Sequence, residues 1–267
     1  MPYLLHDGAR LYWNECGSGP PVLLIMGLSF THEMWYRVLP GLAPLYRAIF
    51  FDNRGMGRSD VPPGPYSIQQ MASDAVAVLD AAGVPAAHIV GASMGGMIAQ
   101  ELALRHPECV LSLVLGCTSH SGLWTRWPHF GFRPRGLSWS RGPRLERERA
   151  LRRLLYADTT PEERIEEDVR IRCDCNWSYR GFFNQFAGVL RWSAYRRLPR
   201  IRVPTLVLHG DQDHLIPVEN GQAVAARIPG SRFHLIRNAG HVLTTDQPEA
   251  CQEALAEFLR DVDGVRD

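Results

Sequence analysis

Three stretches of the chain carry side chains whose types and spacing could do chemistry together. The first is Gly91-x-Ser93-x-Gly95, set within residues 88–100. A serine hydroxyl becomes a nucleophile when a tight turn holds it clear of its neighbours and a base stands by to take its proton. Glycines two residues to either side remove the Cβ atoms that would collide in such a turn. The second stretch is Asn238-Ala239-Gly240-His241, where glycine permits a close approach just before an imidazole. The third is Gly210-Asp211-Gln212-Asp213-His214-Leu215-Ile216-Pro217. It offers two carboxylates, Asp211 and Asp213, either of which could orient that imidazole.

A nucleophile of this kind also needs preorganised N–H donors aimed where negative charge develops on the attacked oxygen. The backbone N–H of Met94, directly after the serine, is one candidate, and that of Leu28, after Gly27, is the other. The chain order Ser93, Asp213, His241 is one of the three orders in which such triads occur. Of the ten histidines, His6, His32, His88, His106, His120, His129 and His234 sit in contexts that read as structural or solvated. His209-x-Asp211-x-Asp213-His214 contains metal-ligand residue types, but an aspartate stands where a dinuclear cluster would have its second histidine.

These residues must be held by elements, and the elements are legible. Residues 2–14 alternate and break at Asp7-Gly8, a hairpin signal. Val22–Ile25, Ala48–Phe51, His88–Val90 and Val110–Leu115 are short apolar runs, as expected of strands covered on both faces. His32–Leu45 is expected to contain a helix, and Ser67–Ala82 is a helix with Ser67-Ile68-Gln69-Gln70 as its capping box and Gly83 as its stop. From Met94 helical spacing runs to His106-Pro107. Thr205–His209 and Arg232–Ile236 are further strands, Val218–Arg227 and Glu249–Leu259 further helices, and the tail from Asp261 is expected to fray. Strand alternating with helix at this rhythm predicts a largely parallel sheet. Active groups then gather beyond the carboxyl ends of its strands.

The character changes near Thr118. Residues 118–198 hold no apolar strand pattern and are rich in arginine and aromatics. Leu145–Tyr156 reads as a helix with Glu148 and Arg152 spaced to pair. A second starts at Thr160-Pro161, capped by Thr160, and a third runs over Tyr179–Leu190. The expected organisation is a sheet core of residues 1–117 and 199–267 with a helical cap, 118–198, inserted. The aromatics Trp124, Trp127, Phe130, Phe183 and Phe186 are its candidate pocket residues, with Phe132, Trp139, Trp177, Phe182, Trp192 and Tyr195 nearby. Arg126, Arg133, Arg135 and Arg141 read first as a solvated face and second as groups that would bind a carboxylate-bearing substrate.

Composition narrows the function classes. The 267 residues suffice to bury about three quarters of the unfolded surface. A net charge of +1 argues against nucleic acid or an anionic membrane as partner. Every basic residue is arginine, so Schiff-base and Ser–Lys chemistry are excluded. The six cysteines form no CxxC pair and read as reduced thiols. The N-terminus has no signal-peptide pattern and no apolar run is long enough to span a membrane, so a cytoplasmic protein is expected.

On Met26-Gly27-Leu28, Asp52-Asn53-Arg54-Gly55-Met56-Gly57-Arg58-Ser59, Gly91–Gly96, Gly210-Asp211-Gln212-Asp213 with Pro217, and Gly240-His241, the sequence resembles the α/β-hydrolase family over nearly its whole length. The family's acid normally lies four residues before such a proline, which favours Asp213 and leaves Asp211 as a turn residue. Many relatives have His-Gly where this chain has Met26-Gly27. Residues 93–100 look most like the small esterases, enol-lactonases and cofactor-free haloperoxidase-like perhydrolases. The resemblance implies an α/β-hydrolase fold and a serine esterase that cleaves a small to medium, apolar ester or lactone through an acyl-enzyme, without metal or organic cofactor. Some relatives of the fold instead perform cofactor-free oxygenation or carbon–carbon cleavage.

Overall fold

The apolar runs assemble into one eight-stranded sheet in the computed structural model, which describes residues 2–123, 125 and 143–264. The strands are β1 (Tyr3–His6), β2 (Ala9–Cys16), β3 (Pro21–Ile25), β4 (Arg47–Phe51), β5 (Ala87–Ala92), β6 (Val110–Gly116), β7 (Thr205–Gly210) and β8 (Arg232–Ile236). Their spatial order is β1-β2-β4-β3-β5-β6-β7-β8. β1 and β2 form the expected hairpin, turning through Asp7 and Gly8 at φ 44° and 71°. β2 also pairs antiparallel with β4, and every pairing from β4 to β8 is parallel.

Helices cover both faces: α1 (Leu39–Leu42), α2 (Ile68–Ala81), α3 (Met94–Arg105), α4 (Arg144–Ala150), α5 (Arg152–Leu155), α6 (Glu162–Asp174), α7 (Tyr179–Arg191), α8 (Val218–Ala225), α9 (Leu243–Asp246) and α10 (Pro248–Asp263). They divide the core into two apolar clusters, one built around α2, α3 and α8, the other around residues 34–42 and α10. Among the described residues no helix is long and apolar enough to cross a membrane.

Several local expectations need correction. The helix expected in 32–45 is two pieces, a 3₁₀ turn over His32–Trp35 and the one-turn α1, which begins at Leu39-Pro40. Leu145–Tyr156 breaks at Leu151 into α4 and α5. The Glu148–Arg152 pair does not form: Glu148 pairs with Arg172 at 3.0 Å, and Arg152 with Glu162. Thr160 does not cap α6, whose first flanking residue is Pro161, because its hydroxyl is drawn to Asp246 instead. The C-terminal helix runs to Asp263 and closes on Gly264 at φ 72°, so residues 261–263 do not fray. Ser67 does cap α2, accepting from Gln70 N at 3.0 Å.

Helices α4 to α7 all lie between β6 and β7. α7 meets the core almost backbone to backbone. A Cβ on Gly181 would stand 1.9 Å from the Gly55 carbonyl oxygen, and one on Gly188 would stand 2.2 Å from that of Tyr66.

Candidate active site

Ser93 sits at the junction of β5 and α3 with φ 55° and ψ −119°. Positive φ is strained for a residue with a Cβ, and the surroundings hold it there. Its N–H donates to Gly116 O at 2.8 Å, while its carbonyl accepts from Thr118 Oγ1 at 2.6 Å and Gly96 N at 2.9 Å. The turn closes because its flanks are glycine. A Cβ on Gly91 would come within 2.3 Å of Gly95 O, and one on Gly95 within 2.0 Å of Ile25 O. Met94 is the first residue of α3, so its N–H has no intrahelical partner.

The loop after β3 lies against the serine. Gly27 approaches so closely that a Cβ there would be 3.0 Å from Ser93 Cβ and 3.5 Å from its Oγ. The loop turns back through Phe30 N to Gly27 O at 3.3 Å, with Ser29 at φ 63°. Two buried amides hold it in place. Asn53 Nδ2 donates to Met26 O at 2.9 Å. Gln185 of α7 accepts from Ser29 N at 3.2 Å and donates to Arg54 O at 2.9 Å.

At the end of β7, Asp213 is buried and His241 Nδ1 lies 2.8 Å from its Oδ2. Its other oxygen accepts from Leu215 N at 2.9 Å and Ile216 N at 2.7 Å. Burial alone would raise the Asp213 carboxyl, yet the electrostatic pull and hydrogen bonds of His241 and His209 hold it well below the usual carboxylate range. An ionised carboxylate only accepts, so Nδ1 of His241 is the donor of this bond. Asp211, by contrast, is exposed and accepts from Ala239 N at 3.3 Å, as a turn residue does. The two aspartates two residues apart thus have different surroundings.

Ser93 and His241 line one cavity of about 230 Å³, together with Leu28 and Met94. No aspartate, glutamate or arginine is among its described lining residues. Phe182, Phe186 and Val189 project into it from α7 and Leu151, Leu154 and Leu155 from α5 and the residue before it. Of the candidate pocket residues, Phe186 lines this cavity and Phe183 does not. It is 47% exposed and its neighbour Phe182 takes the lining position, because 182, 186 and 189 share one helical face. Trp124, Trp127 and Phe130 lie outside the described residues, as do Phe132, Trp139 and the four arginines 126, 133, 135 and 141. Trp192 is buried and donates through Nε1 to Glu101 at 2.8 Å, and Trp177 stacks on Arg147.

Three supports escaped the sequence. Asp246 accepts from the Gly240 N–H at 2.6 Å and from Thr160 Oγ1 at 2.5 Å, fixing the backbone immediately before His241. Burial pushes its carboxyl up to about 6, against the lowering effect of those bonds. His209 Nε2 donates to Ile216 O at 2.8 Å and stands 3.4 Å from Asp213 Oδ2. Gln185, inside an amphipathic helix, gives no local sign that it reaches residue 29. Potential ligand atoms of Cys117, His209 and Asp213 lie within 4.8 Å of one another. Each has a protein partner, for Cys117 the Gly240 carbonyl at 3.6 Å, and burial holds its thiol well above the ordinary value.

With this geometry in hand, similarity to known proteins becomes informative. A profile described as alpha/beta hydrolase family matches residues 22–254. The chain is 34% identical to the putative carbamate hydrolase RutD of Azorhizobium caulinodans, over 98% of this chain and 100% of that one. The structure of Est816, described as an N-acyl homoserine lactone degrading enzyme, superposes with a TM-score of 0.84 at 32% identity, covering 96% of this chain and 100% of the other. The esterase EaEST from Exiguobacterium antarcticum gives a TM-score of 0.84 at 26% identity, covering 95% and 97%.

Proposed function

Since the chain belongs to the alpha/beta hydrolase family, we propose that it is a serine carboxylic-ester hydrolase acting on a small to medium, neutral, apolar ester or lactone. Ser93 is the nucleophile, His241 the general base and then acid, and Asp213 the orienting carboxylate. Residues 118–198 are the cap over a core formed by 1–117 and 199–267. The observation that carries the reading is that the strained Ser93 and His241, whose Nδ1 lies 2.8 Å from Asp213 Oδ2, line one cavity of largely apolar wall.

In the first step His241 Nε2 takes the proton from Ser93 Oγ as that oxygen bonds to the carbonyl carbon. The N–H groups of Leu28 and Met94 hold the oxyanion, with Gly27 leaving room for it. Collapse breaks the bond to the leaving alcohol, which receives the proton from His241. Water, deprotonated by the same nitrogen, then attacks the acyl carbon and restores Ser93. With a lactone the alcohol stays tethered and every proton moves as before. The described lining, without aspartate, glutamate or arginine, favours neutral substrates over carboxylate-bearing ones, because a carboxylate buried without a partner is strongly disfavoured.

A fluorophosphonate probe and p-nitrophenyl esters of graded chain length test the assignment. Labelling at Ser93 with ester turnover, both lost in Ser93→Ala, is the expected result. An unlabelled protein, or a Ser93→Ala variant of undiminished activity, defeats it.

A further inference from the structure

The cavity does not stop at the serine. Its wall continues past Trp35 and Val38 to Cys251, Gln252 and Leu255 of α10. Trp35, Val38, Cys251 and Leu255 are buried members of the second apolar cluster, so this arm is a chamber inside the core rather than a groove on its surface. Gln252 differs from them in being polar and only half-buried. Its Nε2 donates to the Arg37 carbonyl, which ties α10 to the turn before α1. Its Oε1 lies against Gly41, where a Cβ would come within 2.9 Å, and Gly41 is exposed. The side chain therefore has the chamber on one side and a solvent-facing turn on the other.

We propose that Gln252 is the stopper of this inner arm and sets the longest apolar acyl chain that the site accepts. The proposal rests on the ester-hydrolase reading above. The arm suits an acyl chain because its described wall short of Gln252 (Trp35, Val38, Cys251 and Leu255) is aromatic, aliphatic and thiol, with nothing charged to match a polar group. Each methylene buried there favours binding by about a factor of four. Specificity should climb with chain length until the terminal carbon reaches the amide, then fall. Gln252 stands between the arm and Gly41, so shortening it extends the arm in that direction.

The test is a pair of ester series, one varying the acyl chain with p-nitrophenol as the fixed alcohol, the other varying the alcohol of an acetate. Each variant is normalised to its own rate on p-nitrophenyl acetate. Gln252→Ala is expected to move the acyl cut-off outward by two or more carbons, a gain of about tenfold or more at the first excluded length. Gln252→Leu keeps the bulk without the amide bond and should leave the cut-off in place. Leu255→Trp, which fills the arm, should pull it inward. The alcohol series should move in none of them. An unmoved acyl cut-off in Gln252→Ala, or a shift confined to the alcohol series, overturns the stopper. A lower melting temperature in Gln252→Ala and Gln252→Leu alike, with the profile unchanged, overturns it too and leaves Gln252 as a strap. Ser93→Ala in the same assay separates the two claims. If it remains active the ester-hydrolase reading fails, and if it is dead while the cut-off stays put only the stopper fails.

Discussion

The helix that follows Ser93 and the helices between β6 and β7 differ in how polar their anchoring is. α3 is buried along ten of its positions, from Met94 to Ala103, eight of them other than the polar Gln100 and Glu101. α4 buries none of its residues, and the four that α6 buries include Asp168 and Arg172. Beside the apolar side chains it adds to the core, among them Leu155, Ile165, Val169, Val189 and Trp192, this segment is fastened by a handful of polar links, most of them to the core. Asp168 accepts from Tyr36 at 2.6 Å, Tyr156 at 2.9 Å and Thr245 at 2.7 Å. Glu101, on α3, accepts from Trp192 Nε1 at 2.8 Å and from Arg197 at 2.8 and 3.0 Å. Thr160 reaches Asp246 and Gln185 reaches Ser29. Apolar burial is tolerant of direction, whereas hydrogen bonds fix one relative placement and penalise any other. The segment between β6 and β7 thus has its placement fixed by hydrogen-bond geometry as well as by apolar contact.

That contrast can be broken at its ends. Ser93→Ala, within the apolar frame, should cost about 10⁶ in turnover while leaving the fold intact. Ester hydrolysis and a melting curve measured together check this. Asp213→Asn should lose about 10⁴ by presenting His241 with the wrong tautomer, and Asp211→Asn should remain close to wild type. A severe Asp211 variant beside a mild Asp213 one would transfer the role. At the polar links, Asp168→Ala leaves two phenols and a hydroxyl buried without their acceptor, and should lower unfolding free energy by about 3 kcal/mol, read from urea denaturation.

Asp246 sharpens the comparison through pH. Its carboxyl is raised by burial to about 6. The stability its neutral form contributes is full below the unfolded value near 3.8 and is lost as pH rises through about 6. Asp246→Asn does not ionise, so its melting temperature should gain on wild type between about pH 4 and pH 7, and a constant difference across that range would contradict the assignment. Gln185→Ala frees the loop that carries Leu28, and kcat/KM should fall about tenfold with a smaller effect on stability. The least effect is expected at Phe183, half-exposed and away from the cavity, where alanine should change stability by about 0.5 kcal/mol or less and leave the ester profile as it was.

The same division explains what the sequence could disclose. Val22–Ile25 and Val110–Leu115 announce strands because two-sided burial demands an unbroken apolar run, a property local to four to six residues. The turn at Ser93 announces itself because a backbone that tight admits only glycine at 91 and 95. Asp213 could be told from Asp211 only through Pro217 and the family pattern, since their difference lies in which backbone amides face them. Phe182 and Phe183 were inseparable, as helical periodicity defines a face but not its rotation against an unseen neighbour. Thr160 looked like a helix cap because the competing acceptor, Asp246, is 86 residues away. Gln185 and Asp246 left no mark at all, for a single polar residue in a helix is silent about partners that only the fold supplies.

The two glycine contacts of α7, at Gly181 against Gly55 and at Gly188 against Tyr66, pin that helix at points two turns apart. A rod pinned twice can neither roll nor slide, so the depth of its inward side chains is decided by the core's main chain and not by their own bulk. Positions 182, 186 and 189 then behave as interchangeable teeth on a fixed jaw. Re-shaping the substrate by exchanging them should leave the jaw where it is, which makes this helix the place to edit preference without rebuilding the protein.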